Sequence, residues 1–180
     1  VNKVGDEYFS LKIKRMIPFL RKGQSLIYTN WVEFGLKPIE AFLEQKKITF
    51  HSISGNLSKE KRSEIVNDFN TKQFRVLIIT RAGGEGLDLK AVRNVVVMEP
   101  QWNDAGLRQV IGRAVRYKSH HGLPESQRNV RVYKMILTCP GYEKKWRQDK
   151  LSGDALLYRL IENKAKQAET IHKTLRKCSI

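Results

Sequence analysis

The stretch Arg75-Val76-Leu77-Ile78-Ile79-Thr80-Arg81-Ala82-Gly83-Gly84-Glu85-Gly86-Leu87-Asp88 carries the fold in miniature. A continuous apolar run, Val76 to Ile79, opens into a loop with three glycines among four residues. A second run, Val95-Val96-Val97-Met98, follows after a short interval. Strands that are apolar along their whole length, rather than alternately, are covered on both faces, and that is the habit of parallel sheets. The pattern therefore predicts strands at Arg75–Thr80 and Asn94–Met98, with the glycine loop leaving a carboxyl end.

Working outward, the same alternation of strand and helix continues. A helix is expected from about Ser10 to Lys22, with Leu11, Ile13, Ile17 and Leu20 apolar and Gly23 stopping it. Ser25–Thr29 reads as a short buried strand, Pro38–Lys46 as a helix and Ile48–Ile53 as a strand. Ser58 can cap a third helix that carries Ile65, Val66 and Phe69 on one face. Asn103 can cap a fourth reaching about Arg116. After a polar stretch, Lys118–Asn129, a strand is expected over Val130–Leu137. Right-handed crossovers between parallel strands then give an α/β fold with a doubly wound sheet and helices on both faces. Beyond Pro140-Gly141 the composition shifts. Tyr142–Gly153 reads as a basic connector. Asp154–Lys177 reads as one appended helix with Leu157, Leu160, Ile161, Ala168, Ile171 and Leu175 near one stripe. The expected organisation is a domain over residues 1–140 and an extension over 141–180.

The 180 residues are 41% hydrophobic and 29% charged, enough to bury a core and too apolar for a disordered chain. No apolar stretch approaches the roughly 20 residues that a membrane-spanning helix requires. The amino terminus has neither an initiator Met nor the apolar core of a signal peptide, so the chain reads as an excised fragment. Cys139 and Cys178 are too few and too far apart for a disulfide framework, which suits a reducing compartment. With 34 Lys and Arg against 18 Asp and Glu, the net charge is +16. An excess this large destabilises a compact fold by self-repulsion unless it faces a polyanion. Nucleic acid is the leading candidate, an anionic membrane surface the second, and a solvated basic surface the plain alternative.

The glycine loop is a candidate ligand site, because ligands of open α/β sheets bind outside the carboxyl ends of strands. Glycines there permit positive φ and let backbone N–H groups converge on an anion. Asp88 could accept a hydrogen bond from a sugar hydroxyl. The simpler alternative is a tight turn that needs glycine for geometry alone. No G-x-x-x-x-G-K-[ST] phosphate loop occurs in the chain. Glu99 imitates the acidic end of a magnesium-binding strand, but Pro100 follows it and no phosphate-binding Lys accompanies it. The segment Gln109-Val110-Ile111-Gly112-Arg113-Ala114-Val115-Arg116 would place Gln109, Arg113 and Arg116 on one helical face, with Gly112 permitting close backbone approach. Planar, permanently charged guanidinium groups suit the spreading charge of a transferring γ-phosphoryl group. By spacing alone they could equally pair with core carboxylates or bind nucleic-acid phosphates. His120, His121 and Cys139 invite a zinc site, but no spaced ligand pair supports one. His51 and His172 read as structural or exposed. Tyr117 and Trp146 could stack on bases or simply pack.

Order and spacing together resemble the second RecA-like domain of superfamily two helicases and translocases. Ser25–Trp31 is similar to that family's motif four. Phe50–Phe69, with Ser54-Gly55 and Arg62, resembles the segment that follows. Thr80–Asp88 looks like motif five, Gln101-Trp102-Asn103 like its Swi/Snf-type extension, and Gln109–Arg116 like motif six, Q-x-x-G-R-x-x-R. Asp88, where remodellers usually have Asn, and the ending Arg116-Tyr117-Lys118-Ser119-His120 depart from the chromatin-remodeller pattern. Arg116–Met135 is closer to the transcription ATPases of large cytoplasmic DNA viruses, namely the nucleoside triphosphate phosphohydrolase I and early transcription factor helicases of poxviruses and their relatives.

The resemblance implies a RecA-like fold and the following roles. Arg113 and Arg116 would reach the γ-phosphate, Arg116 as the arginine finger. Gln109, Gly86 and Asp88 would line the nucleotide. Thr29, Asn30, Ser54, Gly55, Thr80 and Arg81 would follow the nucleic-acid backbone. Trp102 and Asn103 would couple the two clefts. No metal site is implied in this chain. ATP and Mg2+ would be held mainly by a preceding RecA-like domain, without which the chain would not hydrolyse ATP. Implied partners are that domain, nucleic acid (duplex DNA favoured, RNA open) and transcription proteins such as RNA polymerase, with no membrane. The implied compartment is the host cytoplasm or virion, or the nucleus for a cellular remodeller. The rival reading is a non-catalytic nucleic-acid-binding or docking module that keeps the helicase shape.

Overall fold

The computed structural model describes residues 2–4, 7–84, 86–100, 104–138 and 152–178. They fall into two compact units, Val1–Glu99 with Val110–Met135 and Pro100–Gln109 with Ile136–Ile180. In chain order the strands are β1 (Asn2–Val4), β2 (Glu7–Phe9), β3 (Gln24–Thr29), β4 (Phe50–Ile53), β5 (Val76–Thr80), β6 (Val92–Val97) and β7 (Arg131–Lys134). The helices are α1 (Leu11–Met16), α2 (Lys37–Gln45), α3 (Lys59–Asn70), α4 (Asp104–Ala114) and α5 (Gly153–Cys178).

In the first unit β1 and β2 form a small antiparallel pair, ahead of the first element expected from the sequence. The main sheet has the order β4-β5-β3-β6-β7, and every pairing in it is parallel. Its first strand, β3, lies in the middle; the next two strands build out on one side and the last two on the other. This reversal makes the sheet doubly wound, and it opens a crevice at the carboxyl ends of the strands.

Both faces of the sheet are filled. On one, Ile27 lies in register with Ile78 and Val96, and these pack with Ile13 and Met16 of α1 and Ile39, Phe42 and Leu43 of α2. On the other, Leu26, Leu77 and Val95 share a register and are fully buried. Gln24 belongs to that second face, and its side-chain amide donates to the carbonyl of Phe69 in α3. Helices therefore cover both surfaces of a sheet whose central strands have no solvent-facing side, which explains their unbroken apolar runs.

Local chemistry trims the expected elements. Ser10 caps α1 by accepting from the Ile13 N–H, but Pro18 has no N–H to continue the ladder, and Ile17–Leu20 tighten into a 3-10 turn. A residue with positive φ, Lys47, ends the turn after α2, so β4 begins at Phe50 rather than Ile48. Between β3 and α2 the sequence had suggested no element; Val32–Leu36 make one π-helical turn, closed by the Leu36 N–H on the Trp31 carbonyl at 2.8 Å.

In the second unit, Ser152 caps α5 by accepting from the Ala155 N–H at 3.2 Å, and Asp154 accepts from the Leu137 N–H at 2.9 Å. At 26 residues the helix is about 39 Å long. Of its expected stripe, Leu160, Ile171 and Leu175 are exposed. No helix among the described residues is long and apolar enough to cross a membrane. The expected boundary at Pro140-Gly141 and most of the basic connector, including Trp146, lie outside the described residues.

Two glycines offer a contrasting test of this packing. A Cβ at Gly83 would sit 2.0 Å from the carbonyl oxygen of Ile53, whereas at Gly112 it would meet nothing within 4 Å among the described residues. Gly83→Ala is expected to lower stability by about 1–3 kcal/mol through overpacking against backbone. Gly112→Ala should raise it by up to about 1 kcal/mol through helix propensity. Urea unfolding of the two variants checks both signs.

Candidate functional site

Three adjacent strands deliver their carboxyl ends to one edge. β3 ends at Thr29 and is followed by Asn30, β4 by Ser54-Gly55, and β5 by Arg81-Ala82. A Cβ on Gly55 would come within 2.9 Å of the Ala82 Cβ, so the loops after β4 and β5 lie in contact. The Tyr28 hydroxyl donates to the Asn30 side-chain oxygen at 3.0 Å. Burial holds that phenol above its ordinary pKa, with the nearby Arg81 guanidinium opposing and the Glu99 carboxylate adding to the effect. Asn30, Arg81, Ser54 and Gly55 are thereby gathered at one rim, with Arg81 and Gly55 exposed and Asn30 and Ser54 half-buried.

The two threonines assigned to the same track face inward. Thr29 is fully buried and donates its hydroxyl to Glu99 Oε1 at 2.9 Å, while Glu99 Oε2 accepts the Asn30 N–H at 3.0 Å. Thr80 is also buried, and its hydroxyl oxygen accepts the Gly83 N–H at 3.3 Å. Their part is to shape the loops that carry Asn30 and Arg81. Glu99, which the sequence offered only as an imperfect magnesium ligand, is the carboxylate that fixes the β3 end.

The glycine loop corrects one expectation. The Gly83 and Gly84 N–H groups are taken up by the Thr80 hydroxyl and the Thr80 carbonyl, the latter at 2.8 Å, so they do not converge on an anion. Gly83 is needed for close approach to β4, and of the two only Gly86, at φ +75°, uses the conformational freedom of glycine. Gly86 is exposed and leads into Asp88, where an unforeseen residue intervenes. The Asn70 side chain at the end of α3 donates to the Asp88 carbonyl at 3.0 Å and accepts from the Lys90 N–H at 2.7 Å. An asparagine ending a helix looks like an ordinary stop signal, so nothing in the sequence marks it as the clamp of a distant loop. Gly86, Asp88, Asn70 and Arg62 border an open cavity of about 380 Å³.

The helix bearing the arginines ends early. α4 stops at Ala114, so Arg116 lies in the following turn and does not share a helical face with Gln109 and Arg113. Tertiary bonds redirect the chain: the Ser119 carbonyl accepts from the Ala91 N–H at 2.8 Å, and His120 Nε2 donates to the Val92 carbonyl at 2.6 Å. Because a carbonyl only accepts, Nε2 carries the proton, and Nδ1 accepts from the Ser119 hydroxyl at 2.8 Å. Thus redirected, Arg116 brings its guanidinium within 3.6 Å of the Asp88 carboxylate, the two side chains being 42% and 59% exposed. Arg113 is half-buried and, among the described residues, pairs with no carboxylate. Gln109 is exposed and belongs to the second unit. The space beside Gly112 is open among the described residues. Trp102, Asn103 and Cys139 lie outside the described residues, and no three His, Cys, Asp or Glu among those described gather as metal ligands.

The topology and the loops gathered at its carboxyl edge have counterparts in known proteins. Residues 11–118 match the model of the helicase conserved C-terminal domain, and the chain belongs to that family. It is 39% identical over 142 residues to "Putative ATP-dependent RNA helicase L538" of Acanthamoeba polyphaga mimivirus, covering 78% of this chain and 32% of the relative. It is 26% identical over 166 residues to nucleoside triphosphatase I of Heliothis armigera entomopoxvirus, covering 88% and 24%. With a termination factor NPH-I homolog of African swine fever virus it shares 32% over 123 residues, covering 64% and 17%. The chain thus spans a third or less of the length of these relatives. Among solved structures, the C-terminal part of the Fun30 ATPase domain matches with a TM-score of 0.61 at 18% identity, over 85% of this chain and 54% of that one. The RecA-like fold expected from the motifs is the one observed.

Two variants separate clamp from site. Asn70→Ala should cost about 1–3 kcal/mol by stranding the polar groups it serves and should abolish amide-exchange protection at Lys90. Asp88→Asn should change stability by less than about 1 kcal/mol, as expected for a solvent-screened pair. Exchange mapped by NMR, together with urea titration, reads both.

Proposed function

We propose that this chain is the second motor domain of an ATP-dependent helicase or translocase, with residues 1–140 forming the RecA-like domain and 141–180 an extension. The observation that carries the reading is the meeting of Arg116 with Asp88 outside the core, beside the loop that leaves β5. A guanidinium held by one screened, half-exposed carboxylate is available to a stronger anion. Arg113, with no carboxylate partner among the described residues, adds a second positive group two residues before the turn that carries Arg116. These side chains suit one wall of an ATP site. Arg116 would act as the arginine finger, Arg113 would assist it, and Gly86, Asp88 and Gln109 would line the nucleotide. ATP, with Mg2+ held mainly by a preceding RecA-like domain, would supply the phosphoryl group whose loss drives the cycle.

On the rim, Asn30, Ser54, Gly55 and Arg81 would follow the nucleic-acid backbone, with Thr29 and Thr80 shaping the loops beneath them. Trp102 and Asn103 would link track to nucleotide. Opening and closing of the two domains on each turnover would then step the protein along its strand. The names of the relatives support ATP use and action on nucleic acid, and the termination factor among them supports a role in viral transcription beside an RNA polymerase. Their viral origin supports the host cytoplasm or virion as the compartment. Duplex DNA is the favoured track.

Arg116→Ala in the full-length enzyme is expected to lower turnover by about 10³–10⁵-fold, the range over which an arginine finger acts, while nucleotide and DNA binding persist. Steady-state ATPase assays and equilibrium binding measure this, and retained turnover removes the assignment. DNA binding by the 180-residue chain should weaken steeply with added salt, as phosphate contacts require.

A further inference from the structure

We propose that Trp31 and Phe34 form a base-stacking platform for single-stranded nucleic acid beside the backbone track, an inference that rests on the motor reading above. Both rings stand in solvent from one turn: Trp31 is 60% exposed and Phe34 88%. A monomeric domain seldom leaves neighbouring large aromatics this bare without a use for them.

Their mount is rigid. The π-helical turn from Val32 to Leu36 is closed by the Leu36 N–H on the Trp31 carbonyl, and its Gly35 and Leu36 are buried. A Cβ on Gly35 would fall 2.1 Å from the Thr29 hydroxyl, so the turn is seated directly on the buried threonine that Glu99 holds. Single π-helical turns occur frequently at functional sites. Rings held on such a base lose little conformational entropy when a ligand settles on them.

The position selects the ligand. Trp31 directly follows Asn30, which the Tyr28 hydroxyl ties into the rim where Arg81 approaches. A strand whose phosphates follow that rim would carry its bases within reach of the rings. Charge agrees: the only acid of the turn, Glu33, is neutralised by Lys37 at 2.7 Å, so the loop adds no net repulsion toward a polyanion in a chain of charge +16. Every base has a π face, so such a platform is tolerant of sequence and needs only that the bases be unpaired.

The test compares a short labelled oligothymidylate with an abasic strand of equal length, by fluorescence anisotropy at several salt concentrations. The full-length protein and its Trp31→Ala, Phe34→Ala and Trp31→Phe variants are titrated with each strand. The intact protein should prefer the base-bearing strand by about tenfold or more, within the range of aromatic stacking. Each Ala variant should lose most of that preference with an unchanged salt slope on the abasic strand, and Trp31→Phe should keep it. Equal affinity for the two strands in the intact protein overturns the platform while leaving the motor reading standing. So does an Ala variant that keeps the preference. If the Ala variants bind both strands normally but lose ATP turnover, the rings face the preceding domain and the proposal is wrong. Failure of the intact protein to bind either strand while it binds a duplex of equal length overturns the platform and leaves the motor reading standing; failure to bind all three removes both readings.

Discussion

Glu99 leaves β6 with its carboxylate against the Thr29 hydroxyl and the Asn30 N–H, and this pair of bonds ties the fourth main-sheet strand to the first where the winding reverses. A parallel sheet supplies no side chains of its own at that reversal; two strands simply end side by side, and their loops diverge. A carboxylate accepting from both a hydroxyl and a backbone amide makes the divergence definite. The consequence reaches past Asn30, because the buried Thr29 is also the floor on which Gly35 rests. One acidic side chain therefore sets both the polar rim and the aromatic turn beside it.

A second fixing point has the same character. Asp88 and Arg116 meet across half-exposed surface, where an ion pair contributes little to stability, so their meeting has to be arranged by something else. Asn70 arranges it from one side by holding the backbone on either side of Leu89, and His120 with Ser119 from the other by turning the chain after α4. The two charged groups are left weakly engaged while the backbone beneath them is firmly bonded. Such an arrangement keeps a charged side chain available without leaving its position to chance.

Much of this was legible in the residue order. Continuous apolar runs at Val76–Ile79 and Val95–Met98 announced strands buried on both faces, and Ser58 caps the helix it was expected to cap. The helical face expected to join Gln109, Arg113 and Arg116 is not observed, because the helix ends at Ala114. What escaped is long-range and polar. Asn70 lies 18 and 20 positions from the backbone groups it serves, and Glu99 lies 70 and 69 from its partners. Neither bond leaves a periodicity or a spacing to find. The glycine loop misled for a related reason: its composition permits an anion nest, but Thr80 takes up two of its N–H groups locally.

β7 offers a last consequence. Among the described residues it is an outer strand of the sheet whose one strand neighbour is β6, and its residues Arg131, Val132 and Lys134 are exposed. An unguarded outer strand invites a sibling molecule to extend the ladder, and positive side chains along it make that meeting repulsive. The flank of the sheet is thereby biased against edge-to-edge pairing with its own copies, so that the chain's positive charge keeps like molecules apart.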